Sequence, residues 1–236
     1  MPGTQENASL DPMSKALHIA DLELPGPEVE TRRVSLEVGL GDVVGITGPP
    51  GVGKSMLLRL LSGAQPARAA ALTVLGIDAL REPRHVWENV GYLRGDREVF
   101  AWDLSARQNL HHHGAMKRIP AAVLDREVNV QLQRVGLLPR ADTAARLFER
   151  DDRLRLAMAQ AWLDRPRLLL LDEPLYATSP AAEEEFMATL EQWLAEDPDR
   201  TAIIAARSLR PFAQLLTHAL LLRERWLSAI PPHEVP

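Results

Sequence analysis

Gly48-Pro49-Pro50-Gly51-Val52-Gly53-Lys54-Ser55 is the stretch on which the reading of this chain turns. It satisfies G-x-x-x-x-G-K-[ST] at every fixed position. Its flanks supply the context that the motif needs. Asp42–Gly48 is a short β-rich run ending in glycine, and the segment from Lys54 to about Ser62 carries Met56, Leu57, Leu60 and Leu61 on one helical face. A strand that runs through a glycine turn into a helix aims backbone N–H groups and the positive end of a helix dipole at an anion. Glycine lets that backbone wrap close to phosphate oxygens. In such a loop the lysine, here Lys54, reaches the β and γ phosphates, and the hydroxyl of Ser55 is a ligand for Mg²⁺. Residues 48 to 55 are therefore candidate ligands of a nucleoside triphosphate.

A second motif lies far downstream, at Leu168-Leu169-Leu170-Leu171-Asp172-Glu173-Pro174. Four leucines in a row suit a central parallel strand with both faces covered. Ending that strand in Asp172 places a carboxylate at the carboxyl edge of the sheet, where Mg²⁺ is held in such sites, and Glu173 follows as the group that polarises an attacking water. Alone, the segment reads equally as a buried strand entering an acidic turn. Paired with Gly48–Ser55 it reads as the metal-binding half of one site.

Outward from these motifs, Leu17–Leu24 and Val34–Val38 read as strands before the first motif, with Ala71–Leu75 and Val90–Leu93 after it. From about Trp102 to Trp162 the periodicity turns helical. Leu124, Val128, Leu132 and Val135 share a face that Gly136 closes, and a second helix runs from Asp152 through Leu163. Strand and helix then alternate: Ala181–Ala195 helical, Thr201–Ala206 a strand, a short helix near Pro211–Leu216, and Ala219–Arg223 a strand. The sum is an α/β core interrupted by a helical insertion.

Composition narrows the function classes. With 46% hydrophobic and 25% charged residues the chain suits a folded globular domain, and a net charge of −5 gives no basic field for nucleic acid. It has no cysteine, which excludes disulfides and thiolate metal sites. No apolar run reaches the roughly 20 residues that span a bilayer. Residues 1–16 read as a flexible polar tail, and the expected location is cytoplasmic, with membrane contact made through a partner.

With both motifs in place the chain resembles the ABC ATPase family from about Leu17 to Leu227. Val90-Gly91-Tyr92-Leu93 is similar to the strand before that family's Q-loop, Leu104 to Leu110 to its segment after it, and Val135-Gly136-Leu137 to the stretch upstream of its signature. The AAA+ family shares Pro-Pro-Gly in the first motif, but it sets the two motifs closer together. The resemblance implies a P-loop NTPase α/β core of ABC type (about 17–100 and 164–228) with a helical subdomain inserted at about 101–163. It implies ATP and Mg²⁺ as ligands, with Ser55 and Asp172 on the metal and Glu173 as general base. It also implies a transmembrane transporter subunit and a second ABC ATPase subunit as partners, in a homodimer or heterodimer on the cytoplasmic face of the cell membrane. A pseudo-ATPase scaffold that binds ATP structurally, or that regulates a catalytically intact partner subunit, is the rival expectation.

The chain also departs from the family's pattern. Where the family carries the Q-loop glutamine, Arg94, Gly95 and Asp96 stand, and Phe148-Glu149-Arg150-Asp151-Asp152 occupies the place of its LSGGQ signature. Its switch histidine is matched by Arg207 and its D-loop aspartate by Ser179, and Asp21–Arg33 holds no aromatic residue to stack on adenine. Three acidic residues at a helix start act as caps and dipole partners, and they make that end a poor clamp for triphosphate. Arg207 is left with three readings: a grip on ATP, a partner for Glu173, or an exposed arginine. Slow hydrolysis is the expectation that follows.

Among the remaining features, three consecutive histidines, His111–His113, cannot all face one ion from a regular helix and read as surface residues. Asp96, Arg97 and Glu98 read as a solvated loop. Trp162 and Trp193 fall at core spacing, and Trp102 lies where the family receives a helix of its membrane subunit.

Overall fold

The computed structural model describes residues 15–24, 32–95, 100–223 and 227–235. In chain order the elements are strands β1 (Lys15–Leu24), β2 (Arg32–Gly39) and β3 (Val43–Thr47), helix α1 (Lys54–Leu61), and strands β4 (Ala71–Val74) and β5 (Ile77–Asp78). Helix α2 (Pro83–Asn89), strand β6 (Val90–Arg94) and helices α3 (Ala106–Met116), α4 (Ala121–Arg134) and α5 (Arg150–Trp162) follow. The chain then forms strand β7 (Leu168–Asp172), helix α6 (Pro180–Ala195), and strands β8 (Thr201–Ala205), β9 (His218–Leu222) and β10 (Leu227–Ile230).

The strands form two sheets. One has six strands in the order β10-β9-β3-β8-β7-β6, parallel from β9 to β6 with β10 antiparallel at the edge. The other has four, β2-β1-β4-β5, all antiparallel. The leucine run explains why β7 sits inside the larger sheet. Every residue of β7 is buried, and the pleat sends Leu168 and Leu170 into one apolar cluster and Leu169 and Leu171 into another. The first cluster also holds Leu57, Leu58, Leu60 and Leu61 of α1 and the inner face of the antiparallel sheet. The second joins the parallel sheet to α3, α4, α5 and α6 around Trp162, Phe186 and Trp193, whose rings meet edge to face. A strand covered on both faces loses stability wherever a polar side chain replaces a leucine, since each buried leucine contributes about 1.5–3 kcal/mol.

Several sequence expectations are refined here. The tail does not reach residue 16: Lys15 and Ala16 belong to β1, where Ala16 is fully buried and Lys15 pairs with Glu37 at 2.8 Å. The charged loop at Asp96–Glu98, most of the tail, and residues 25–31 of the segment searched for an adenine-stacking aromatic lie outside the described residues. The short strand β5, helix α2 and strand β10 carry too few periodic positions to be read from sequence. The short helix near Pro211 is a single 3₁₀ turn at Arg210–Phe212. Gly136 closes α4 in a left-handed conformation (φ 71°), with the Leu137 N–H returning to the Leu132 carbonyl at 2.8 Å. Trp162 and Trp193 are 1% exposed, as core residues should be.

The histidine run is not uniformly on the surface. His112 is exposed, but His113 is half-buried with its ring edge-on to Trp87 at 6.3 Å. Beside it, buried Lys117 at the end of α3 donates to the Val90 carbonyl and to Asp164 Oδ2 (3.0 Å) and lies 4.9 Å from the Trp87 ring centre. That ammonium pins the end of α3 to the start of β6 and to the turn after α5.

Burial, with Lys117 and His112 adding to it, pushes the His113 pKa down to about 3. A histidine depressed in the folded state stays neutral there while the unfolded chain protonates. Its contribution is complete above the unfolded value near 6.5 and is lost as pH falls from 6.5 toward 3. By about pH 5 the loss amounts to at most about 2 kcal/mol. His113→Phe, which keeps a ring against Trp87 and cannot protonate, is expected to flatten that part of the urea-unfolding profile between pH 7.5 and 5; an identical slope in variant and parent would refute the assignment.

Candidate functional site

Parallel register puts the ends of four strands in one row. Ile46 pairs with Ala205, Ala205 with Asp172 and Asp172 with Arg94. The loops leaving that row are therefore neighbours: Gly48–Ser55 after β3, Arg207 after β8, Glu173 after β7 and Gly95 after β6. Ligand sites of open α/β sheets form outside this carboxyl edge. A cleft of about 440 Å³ opens there, walled in part by Lys54, Ser55, Arg59, Glu173, Tyr176 and Arg207.

The loop itself is built as the motif requires. Gly48, Gly51 and Gly53 all have positive φ, at 153°, 76° and 109°. At Gly48 a Cβ would lie 2.2 Å from the Leu222 carbonyl oxygen, so β9 leaves room for glycine alone. Pro50, Gly51, Gly53, Lys54 and Ser55 line the cleft directly. Gly48 and Pro49 act through their carbonyls, which accept the Lys54 ammonium at 2.8 and 3.4 Å. Val52 turns its side chain into the core, at 6% exposure, and offers backbone only. Lys54 is itself 6% exposed. Burial lowers its pKa, with Glu173 and Asp172 opposing and Arg207 adding to the shift.

The two motifs meet across one hydrogen bond. The Ser55 hydroxyl donates to Asp172 Oδ1 at 2.8 Å, and Asp172 is 1% exposed. Its second oxygen, Oδ2, accepts from the Tyr92 hydroxyl at 3.4 Å. Burial and the Asp172 charge raise the Tyr92 pKa, so the phenol stays protonated and donating. Glu173 follows with a left-handed backbone (φ 47°), which swings its carboxylate out of the sheet. Glu173 Oε2 accepts the Arg207 backbone N–H at 3.2 Å, and Oε1 lies 3.8 Å from Arg207 Nε. Of the readings open for Arg207, two meet here: its side chain is 63% exposed, and it lies alongside the Glu173 carboxylate.

These groups fit a magnesium-bound triphosphate. A hydroxyl and a buried carboxylate 2.8 Å apart form a hard oxygen donor pair. The glycine turn leaves backbone amides bare of side chains, and Nε of Arg59, another wall of the cleft, is buried with no hydrogen-bond partner among the described residues. Tyr92, Arg59 and Tyr176 were missed by sequence reasoning. A tyrosine in a strand and an arginine on a helix carry no local signal, and only the packing of β6 against β7 turns Tyr92 toward Asp172.

The segment Phe148–Asp152 is tied down within its own chain. Glu149 stands at the N-cap of α5 without a side-chain cap, contrary to the expected capping role. Asp151 accepts from the Ser179 N–H (3.2 Å) and hydroxyl (2.6 Å), and that hydroxyl holds its pKa below the usual carboxylate range. Asp152 pairs with Arg155 at 2.8 Å and with Arg140. Arg150 donates to the carbonyls of Gly95 and Tyr176. Ser179 also caps α6, accepting the Ala182 N–H at 3.2 Å.

A parallel α/β sheet with a glycine-rich loop at its carboxyl edge and an acidic strand end beside it defines a P-loop nucleotide-binding fold. The sequence model of the family described as "ABC transporter" matches residues 31–176, and the chain belongs to that family. An uncharacterised ABC transporter ATP-binding protein of Bacillus subtilis is 28% identical over 90% of this chain and 68% of its own length. A molybdenum import ATP-binding protein of Aromatoleum aromaticum is 32% identical over 82% of this chain, which spans about half (52%) of that relative. The solved structure of cbiO1 from Clostridium perfringens, described as part of the ABC transporter complex cbiONQ, shares the fold with a TM-score of 0.78 and 20% identity, over 94% of this chain and 90% of that one.

Gly95, one of the three residues standing where the resemblance places a Q-loop glutamine, has no room for a side chain. A Cβ at Gly95 would lie 2.0 Å from the Glu173 carbonyl oxygen, while the Gly95 N–H donates to the Asp172 carbonyl at 2.8 Å. Gly95→Gln is therefore expected to displace the Glu173 turn and lower stability by about 1–3 kcal/mol. An unaltered urea midpoint in that variant would show that the two loops do not approach so closely.

Proposed function

We propose that this chain is the ATP-binding subunit of an ABC-type membrane transport complex, holding MgATP in the cleft at the carboxyl edge of β3, β7 and β8. The observation that carries the reading is the meeting of Lys54, Ser55 and Glu173 at one cleft, with Asp172 bonded behind Ser55, in a chain of this family. The amides of residues 48–55 and the Lys54 ammonium would bind the phosphates. Ser55, and Asp172 behind it, would hold Mg²⁺, which when bound supplies charge neutralisation for phosphoryl transfer. Glu173 would orient and deprotonate the attacking water. Its contact with Arg207 is the reason for expecting slow turnover.

Two partners follow from this reading. A transmembrane subunit would dock at the groove of about 470 Å³ lined by Trp87, Leu93, Phe100, Ala101 and Met116. Trp102, 41% exposed and edge-on to Phe100 at 5.6 Å, stands near it. A second ATPase subunit would face the cleft, and the complex would place this chain on the cytoplasmic side of the membrane. None of the described helices is long and apolar enough to cross a membrane. A purely structural role for ATP has no observation in its favour, whereas the molybdenum relative is named for import.

Calorimetry with MgATP tests the binding step. Lys54→Ala is expected to weaken binding by on the order of 1.5–3 kcal/mol, roughly 10- to 150-fold in Kd. Glu173→Gln should retain binding and lose turnover. Absence of a binding isotherm for the unaltered chain would end the proposal.

A further inference from the structure

Two arginines from different parts of the chain converge on one tyrosine. The Arg150 guanidinium lies 5.9 Å from the Tyr176 ring centre and the Arg207 guanidinium 5.7 Å from it. Both arginines also grip the segment that carries Tyr176. Arg150 Nε donates to the Tyr176 carbonyl at 3.1 Å, and its terminal nitrogen reaches that carbonyl and the Gly95 carbonyl. Arg207 lies 3.8 Å from Glu173 Oε1 through Nε and donates its backbone N–H to Oε2.

The segment held in this way is strained. Glu173 and Ala177 both take left-handed conformations, with φ of 47° and 54°. Neither is glycine, and such a turn persists only where its surroundings hold it. The Tyr176 N–H closes it on the Glu173 carbonyl at 3.1 Å, and the Glu173 N–H fixes its start to the Ala205 carbonyl at 2.7 Å. The turn therefore links two points: its first residue is the candidate base, and its fourth is clamped to the first turn of α5.

We infer that Arg207, Tyr176 and Arg150 form a latch within the chain that holds the Glu173 carboxylate against a cation and ties that hold to the position of α5. Arg207 and Arg150 are positioning residues. Arg207 competes with a water molecule for the oxygens of Glu173. Arg150 keeps the Tyr176 ring where the Arg207 guanidinium rests on it. Movement of α5 away from the sheet withdraws Arg150 from both carbonyls, relaxes the turn and frees Glu173. The latch restrains turnover and leaves nucleotide binding at residues 48–55 intact.

This inference rests on the proposed role of Glu173, and the test separates the two. Steady-state MgATP turnover is measured for the full chain and for Arg207→Ala, Arg207→Lys, Arg150→Ala and Glu173→Gln, with Kd from calorimetry. The Arg207 side chain is 63% exposed, so its removal leaves the fold in place. Arg207→Ala should raise kcat at least threefold with KM within twofold of the parent, and Arg150→Ala should move kcat the same way by a smaller factor. Arg207→Lys, which still pairs with a carboxylate, should fall back toward the parent rate. Adding Glu173→Gln to Arg207→Ala should abolish the gain. An unchanged or lower kcat in Arg207→Ala overturns the latch while the MgATP site stands. A gain that survives Glu173→Gln overturns the latch together with the assignment of Glu173 as base.

Discussion

Everything at this site depends on the parallel register of four strands. Ile46, Ala205, Asp172 and Arg94 occupy one row, so a glycine loop, an arginine, a glutamate and a glycine leave the sheet side by side although they are far apart in sequence. The register is held because the central strands are apolar on both faces. A one-residue slip of β7 would exchange the leucines facing α1 for those facing α5 and α6, and would carry Asp172 away from Ser55. The hydrogen bond between Ser55 and Asp172 records the correct setting.

Several charges near this edge are paired within the chain. Lys54 rests on the carbonyls of its own loop, Glu173 on Arg207, Asp151 on Ser179 and Asp152 on two arginines. Each pairing offsets the cost of bringing an ion to a partly desolvated edge. The first turn of α5 is consequently bound to the turn after β7 and to the end of β6. Gly95 belongs to the same economy, because its missing side chain is what allows the end of β6 to lie against the Glu173 carbonyl.

Much of this was legible from the residues. The glycines, Lys54 and Ser55 are local signals, since the turn, the helix start and the ligand atoms lie within eight consecutive positions. The leucine run of β7 and the Gly136 cap are equally local. The four-stranded antiparallel sheet was not legible, because β1 and β2 look the same from sequence whether they pair with each other or with β3. Tyr92, Tyr176 and the contacts of Arg150 were missed for a related reason. Each gains its role from a partner more than twenty residues away, and neither composition nor periodicity carries that distance. His113 differs from His112 in its burial, with its ring set edge-on to that of Trp87.

The sequence by itself determined the class of fold, the phosphate loop and the acidic strand end, because both motifs express backbone geometry and charge that adjacent residues supply. Tertiary structure alone decided that Arg207 pairs with Glu173, that Arg150 spans two loops, and that a side chain at position 95 has no room. Those outcomes depend on distances across the sheet edge. Such distances are set by strand order and helix packing, which are properties of the whole core and of no single segment.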